Sequence, residues 1–264
     1  MTRAIPAIAL LLCAGSLFAQ TPAPAATAQT PTAAPAPKPA PPSADAEKIK
    51  HMEDQLNDWP NLARYRAENA GLPQPAANEQ RVVFYGDSIT DGWGRWPGLP
   101  PFFPGKPYVN RGISGQTTPQ MLVRFQQDVV ALHPAAVLIL AGTNDVAGNT
   151  GPSTPQMTED NFAAIAAIAK ANHIKVILAS ILPAFSYPWK PGVEPVAPIR
   201  EINKWLKDYA AANDCIYLDY YSAMVDEKGG MKPGLAKDGV HPTAEGYGIM
   251  APLAEAAIAQ ALAK

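Results

Sequence analysis

The sequence predicts an α/β protein, a three-layer α/β/α sandwich around a parallel sheet. Two patterns carry this. Several short runs are apolar on both faces, as strands of a sheet covered on both sides must be. Between them lie longer stretches whose apolar residues recur at helical spacing, and strands alternating with helices make such a layered fold. Right-handed crossovers leave few topologies open.

The chain of 264 residues starts with an export pattern. Arg3 is a positive start, Ala4 to Phe18 is nearly all apolar, and Ala19 is a small residue before Gln20. The run falls short of the roughly 20 residues that span a bilayer, so residues 1–19 read as a cleaved signal peptide and not as a membrane anchor. A lipoprotein site at Cys13 is disfavoured by Leu12 before it. Cleavage would leave Cys215, whose apolar surroundings suit a buried side chain. The expected address is the periplasm or the outside of the cell. Residues 20–43 are Ala, Pro and Thr with almost no large apolar side chain, so they read as a proline-stiffened linker. The formal charge of −2 offers nothing to nucleic acid or an anionic membrane.

The domain itself is expected over 44–264, with 44–79 as a helical extension packed on it. Met52, Leu56 and Trp59 recur at helical spacing, and Leu62 and Tyr65 do so after Pro60, which should break the run. Trp59 and Tyr65 read as core anchors. The first strand is expected over Arg81–Tyr85, ending at Gly86, and a weaker one at Tyr108–Asn110. Ala136–Ala141, Lys175–Leu182 and Cys215–Asp219 are the other three. Leu122, Phe125, Val129 and Leu132 form one helical stripe, and Ile199, Ile202, Leu206 and Tyr209 another. Thr158 reads as an N-cap followed by Glu159 and Asp160, and Thr243 as the cap of a last helix carrying Tyr247, Met250, Ala254 and Ile258.

In open parallel sheets, ligands bind outside the carboxyl ends of the strands. Gly86-Asp87-Ser88-Ile89-Thr90 follows the first strand, and Gly112-Ile113-Ser114-Gly115 the second. Gly142-Thr143-Asn144-Asp145 follows the third, and Asp238-Gly239-Val240-His241 precedes the last helix. These are the parts that acyl transfer needs. A serine hydroxyl is a weak nucleophile until a base takes its proton, and His241 is the natural base for Ser88. Asp238, three residues away, can fix the tautomer of His241 and steady the imidazolium. The backbone N–H groups of Ser88 and Gly115 and the side-chain amide of Asn144 can face an oxyanion. Asp87 and Asp145 read as structural carboxylates that bond loop amides.

Gly86-Asp87-Ser88, Gly115, Asn144 and Asp238-x-x-His241 stand in the order and spacing of four sequence blocks, and through them the chain resembles the SGNH hydrolases, or GDSL-like lipases and esterases, over roughly residues 80–263. Ile89-Thr90 stands where the older name of the family has Leu. The resemblance implies a flavodoxin-like sheet of about five parallel strands in the order 2-1-3-4-5. It also implies carboxylic ester hydrolysis through an acyl-enzyme, with no metal and no cofactor. That order would bring Ser88, Gly115 and Asn144 together.

Rival readings have identifiable weaknesses. An α/β-hydrolase needs Gly-x-Ser-x-Gly, and Thr90 stands at the second glycine. A metallophosphoesterase using Asp87, Asn144, Asp145 and His241 generally needs more histidines than this chain's four. A glycan-binding module without activity would not need Ser88 or His241. Trp93, Trp96, Phe102, Phe103, Tyr187 and Trp189 lie in loops at the active face, and of these Trp93, Tyr187 and Trp189 are the expected substrate contacts. Phe185–Pro191 should overhang the site. The expected substrate is a short-chain ester, acetyl above all, on a carbohydrate or similar polar alcohol. The alternative is a lysophospholipase or thioesterase.

Overall fold

The computed structural model describes residues 43–263. The expected signal peptide, Cys13 and nearly all of the linker lie outside the described residues. From Ala44 onward the chain forms one compact unit.

Helix α1 spans Ala44–Asn57, and α2 spans Arg66–Gly71 after a turn. Strand β1 (Val82–Gly86) leads into α3 (Ser88–Gly92), and β2 (Tyr108–Gly112) into α4 (Thr118–Asp128), which a short 3₁₀ turn at Val130–Leu132 extends. Strand β3 (Ala136–Leu140) leads into α5 (Thr143–Val146), followed by α6 (Pro155–Ala171). Then come β4 (Lys175–Ala179), α7 (Val196–Ala212), β5 (Ile216–Leu218), α8 (Tyr220–Met224) and α9 (Ala244–Ala263).

The five strands pair in parallel in the order β2-β1-β3-β4-β5, the flavodoxin-like order expected. Their side chains alternate between two cores, which is why the runs read as apolar throughout. Val83, Tyr85, Val137, Ile139, Val176 and Leu178 pack against Met121 and Phe125 of α4, Phe162 and Ile165 of α6, and Ile199, Ile202 and Leu206 of α7. Val82, Phe84, Leu138, Leu140, Ile177 and Ala179 pack on the opposite face with Tyr247, Met250, Ala254 and Ile258 of α9. No helix among the described residues is long and apolar enough to cross a membrane.

Two local expectations are corrected. Helix α6 is capped by Thr154, whose hydroxyl accepts the Met157 N–H at 3.3 Å, and Pro155 occupies the first turn, where its missing N–H costs nothing. Thr158 lies inside the helix, buried, with its hydroxyl donating back to the Thr154 carbonyl at 3.4 Å. Thr243 does cap the last helix, accepting from Gly246 N–H at 3.2 Å. The extension also packs differently. Tyr65 is fully buried, but Ile49, Met52 and Leu56 of α1 face outward, and Trp59 is 42% exposed. The chain leaves α1 before Pro60, where Asp58 accepts the N–H groups of Leu62 (2.7 Å) and Ala63 (2.8 Å) and turns it toward the sheet.

Candidate active site

Parallel register brings three strand ends level. Gly86 of β1 lies opposite Gly112 of β2 and Leu140 of β3. The residues just beyond each end therefore meet at one edge of the sheet. A side chain at Gly86 could not be accommodated, because a Cβ there would lie 2.2 Å from the Thr90 hydroxyl and 2.5 Å from the Leu140 carbonyl. This closeness seats α3 directly on the strand, with Ser88 at its first position. Asp87 caps the helix by accepting the Ile89 N–H at 2.9 Å.

Ser88 Oγ lies 2.9 Å from His241 Nε2, and His241 Nδ1 lies 2.7 Å from Asp238 Oδ2. The partners are 153 residues apart in the chain. The loop before α9 is held by Asp238 itself, whose Oδ1 accepts the N–H groups of Val240 (3.0 Å) and His241 (2.8 Å). Burial pushes the Asp238 carboxyl up, but the hydrogen bonds from His241 and Val240 outweigh it and leave it below its ordinary value. Asp238 thus stays ionised and faces the imidazole on the side away from Ser88.

Gly115 takes φ = 79°, a left-handed conformation open to glycine at no cost, which turns the loop after β2 toward Ser88. Asn144, at the start of α5, is buried. Its Oδ1 accepts from Asn149 Nδ2 at 2.7 Å, so its Nδ2 is the donor side, 3.0 Å from the Gln116 carbonyl and 3.4 Å from Asp87 Oδ2. Asn149 in turn accepts the indole N–H of Trp189 at 3.0 Å. Burial pushes Asp87 up to about 7, against the Ile89 N–H and His241, which pull it down. Burial likewise pushes Asp145 up to about 6, against the hydrogen bonds it accepts from the hydroxyl and amide of Thr118. A cavity of about 350 Å³ opens over these groups, with Ser88, Gly115, Asn144 and His241 in its lining and the indoles of Trp96 and Trp189 as its aromatic wall.

The GDSL-like Lipase/Acylhydrolase family matches residues 84–249, a span that holds the whole constellation. The chain belongs to this family. A GDSL-like lipase from Bacteroides thetaiotaomicron is 50% identical over 77% of this chain and 99% of its own, with a TM-score of 0.73. A candidate acylhydrolase from Bacteroides fragilis is 48% identical over 78% of this chain and 99% of its own, with a TM-score of 0.75. A mutant of Axe2, an acetyl-xylooligosaccharide esterase from Geobacillus, shares the fold at 24% identity, over 68% of this chain and 94% of its own, with a TM-score of 0.55. Among curated proteins none matches the chain.

In this GDSL-like ester hydrolase, four of the five expected site residues, Ser88, Gly115, Asn144 and His241, line one cavity, and Asp238 stands behind His241. The aromatic contacts need correction. Trp93 is buried in the opposite core, with its ring centroid 4.9 Å from Phe103 and 4.8 Å from Tyr247, because that apolar cluster takes the whole indole. Trp96 stands in the wall instead, its ring 5.5 Å from that of His241. Tyr187 is buried and lies 5.1 Å from Trp189, so it supports that indole and does not line the cavity. Trp189 does line it, as expected of the Phe185–Pro191 segment.

Sequence reasoning missed two further residues. Asn149 bridges Trp189 to Asn144, and nothing in its turn sequence announces this. Arg124 is fully buried beneath the site. Its guanidinium donates to Gln116 Oε1 (2.5 Å), the Arg111 carbonyl (2.9 Å), the Gly86 carbonyl (3.1 Å) and Asp128 Oδ2 (3.1 Å). It therefore ties the end of β1 to the loop that carries Gly115. Its spacing of four from Asp128 is a legible sign of an ion pair on one helix face. Among the described residues, no group of three or more His, Cys, Asp or Glu is placed to hold a metal ion.

Proposed function

We propose that the protein hydrolyses short-chain carboxylic esters, acetyl esters above all, on carbohydrate or similar polar alcohols, through an acyl-enzyme on Ser88. The observation that carries the mechanism is the relay of 2.9 Å from Ser88 to His241 and 2.7 Å on to Asp238. Ser88 Oγ attacks the ester carbonyl carbon while His241 Nε2 takes its proton. The amides of Ser88 and Gly115 and Asn144 Nδ2 stabilise the oxyanion that forms. Collapse breaks the bond to the alcohol oxygen, which receives the proton from His241. Water then attacks the acyl carbon, His241 takes the water's proton and returns it to Ser88, and the carboxylic acid leaves. Asp238 remains ionised throughout and steadies the imidazolium.

The short-chain preference is supported by the way Trp96 and Trp189 both pack near the His241 ring, at 5.5 Å and 6.1 Å, which narrows the space beside the relay. Ser88→Ala should abolish hydrolysis with the fold intact, and a fluorophosphonate should label Ser88. Labelling elsewhere, with Ser88 untouched, refutes the assignment. A p-nitrophenyl ester series tests the acyl group. An acyl channel would gain up to about 0.8 kcal/mol per buried methylene. A steady climb in kcat/KM from acetate to octanoate would therefore replace the acetylesterase reading with the lysophospholipase or thioesterase one, while a steep loss beyond butyrate supports it.

A further inference from the structure

A second, larger cavity of about 770 Å³ lies beside the first and shares Ser114, Gly115 and Asn149 with it. One wall comes from the loop after β2, and the other from the end of α1 and the turn after it. That turn carries Trp59, read from the sequence as a core anchor, which is exposed and lines the groove.

The turn is fixed to the domain by its backbone. Gln120 Nε2 donates to the Trp59 carbonyl at 2.7 Å, and Gln116 Nε2 donates to the Pro60 carbonyl at 2.6 Å. The backbone of the turn is thus fixed beside the loop after β2, and it carries the exposed indole at the edge of the groove. The Asn149 amide is held by Asn144, Gly115 and Trp189, while Asn57 and Asn61 supply amides along the same groove, each able to donate and accept. Its two carboxylates are engaged elsewhere, Asp58 by the Leu62 and Ala63 amides and Asp54 by Lys50 at 3.1 Å. Among the described residues, the groove therefore presents one flat aromatic face, uncharged amides beside these two engaged carboxylates, and no cationic side chain for an anionic ligand. Its volume lies in the range that encloses a drug-sized ligand, far more than an acetyl group needs.

We propose that this groove is a glycan-binding subsite, in which the uncharged oligosaccharide part of an ester stacks a sugar ring on Trp59 while its acyl group reaches Ser88. The inference rests on the esterase reading of the neighbouring relay, and it adds the N-terminal turn as the element that selects the alcohol.

The test uses the full chain and Trp59→Ala, with Trp59→Phe as the conservative control. Two readouts keep the subsite and the chemistry apart. Binding of xylotetraose and cellotetraose, neither of which is an ester, is followed by calorimetry. At least one should bind, and Trp59→Ala should weaken it about tenfold, the scale of one lost ring contact, with Trp59→Phe recovering most of the loss. The second readout is the ratio of kcat/KM on acetylated xylotetraose to that on p-nitrophenyl acetate, which should fall about tenfold in Trp59→Ala for the same reason. Failure of both tetrasaccharides to bind, binding indifferent to Trp59, or an unchanged ratio overturns the subsite. Tetrasaccharide binding that depends on Trp59, in a protein that hydrolyses neither ester, supports the subsite and refutes the esterase reading instead.

Discussion

Arg124→Met tests whether the buried guanidinium holds the active site together. Both Arg124 and Asp128 are fully buried, and their closest approach is 3.1 Å. Methionine fills much of the arginine stem but leaves the Asp128 carboxylate without its cation. Asp128 keeps the Asn69 amide at 2.7 Å, which offsets only part of the loss. Breaking one side of a buried pair costs about 3–5 kcal/mol. A domain of this size loses roughly 2–4 °C per kcal/mol, so Tm should drop by about 6–20 °C. Activity should suffer separately. The Gly86 carbonyl and the Gln116 side chain both lose a donor, and these groups precede Ser88 and follow Gly115. Small displacements there misalign nucleophile and oxyanion donors, and kcat on p-nitrophenyl acetate should fall by up to about 10²-fold with a smaller change in KM. The double variant Arg124→Met/Asp128→Leu separates the two effects. Removing both charges should restore much of the Tm, but kcat should stay low, because the guanidinium that bridges Gly86 to Gln116 is still missing. Differential scanning fluorimetry and steady-state kinetics read both. A single variant within about two degrees of wild type would refute the argument, as would a double variant that recovers kcat along with Tm.

Asn144→Ala should lower kcat by about 10²–10³ with little change in KM, since the amide acts on charge that develops only in the transition state; a raised KM with unchanged kcat would place its contact in the ground state. Asp87 gives a pH-dependent stability. Its carboxyl stands near 7 in the fold against an ordinary 3.8, so the native state binds the proton more tightly and stability falls as pH rises from about 4 to about 7. The full effect is on the order of 4 kcal/mol. Asp87→Asn keeps the acceptor for Ile89 and should flatten that fall in denaturant titrations across this range; a slope equal to wild type would show that Asp87 ionises as it does in water. Chelation with EDTA should leave ester hydrolysis unchanged in steady-state assays; loss of activity restored by a divalent metal would favour a metal-dependent mechanism.

The parts of the site that were legible in the sequence share one physical property: each is local to a strand end or a cap. Gly86-Asp87-Ser88, Gly142-Thr143-Asn144 and Asp238-x-x-His241 are short turns whose residue types follow from backbone geometry and hydrogen bonding within a few positions. The five strands were legible for a similar reason, since burial on both faces forces continuous apolar runs. Helices α3, α5 and α8, of 5, 4 and 5 residues, were not, because they are too short to show a period. The aromatic residues fall on the other side of this divide. Trp59, Trp93, Trp96 and Trp189 look alike in sequence, and their exposure depends on partners far along the chain. Trp93 is taken up by Phe103 and Tyr247, Trp189 is aimed by Asn149, and Trp59 is left outward, with Gln120 holding its carbonyl and Gln116 that of Pro60. Arg124 belongs with them, since its spacing from Asp128 was readable but its burial was not. On the proposed reading, bond-breaking rests on turns that carry their own signature, and the choice of substrate on side chains placed only when distant segments meet, so exchanging Trp59, Trp96 or Trp189 should alter substrate preference while leaving the relay in place.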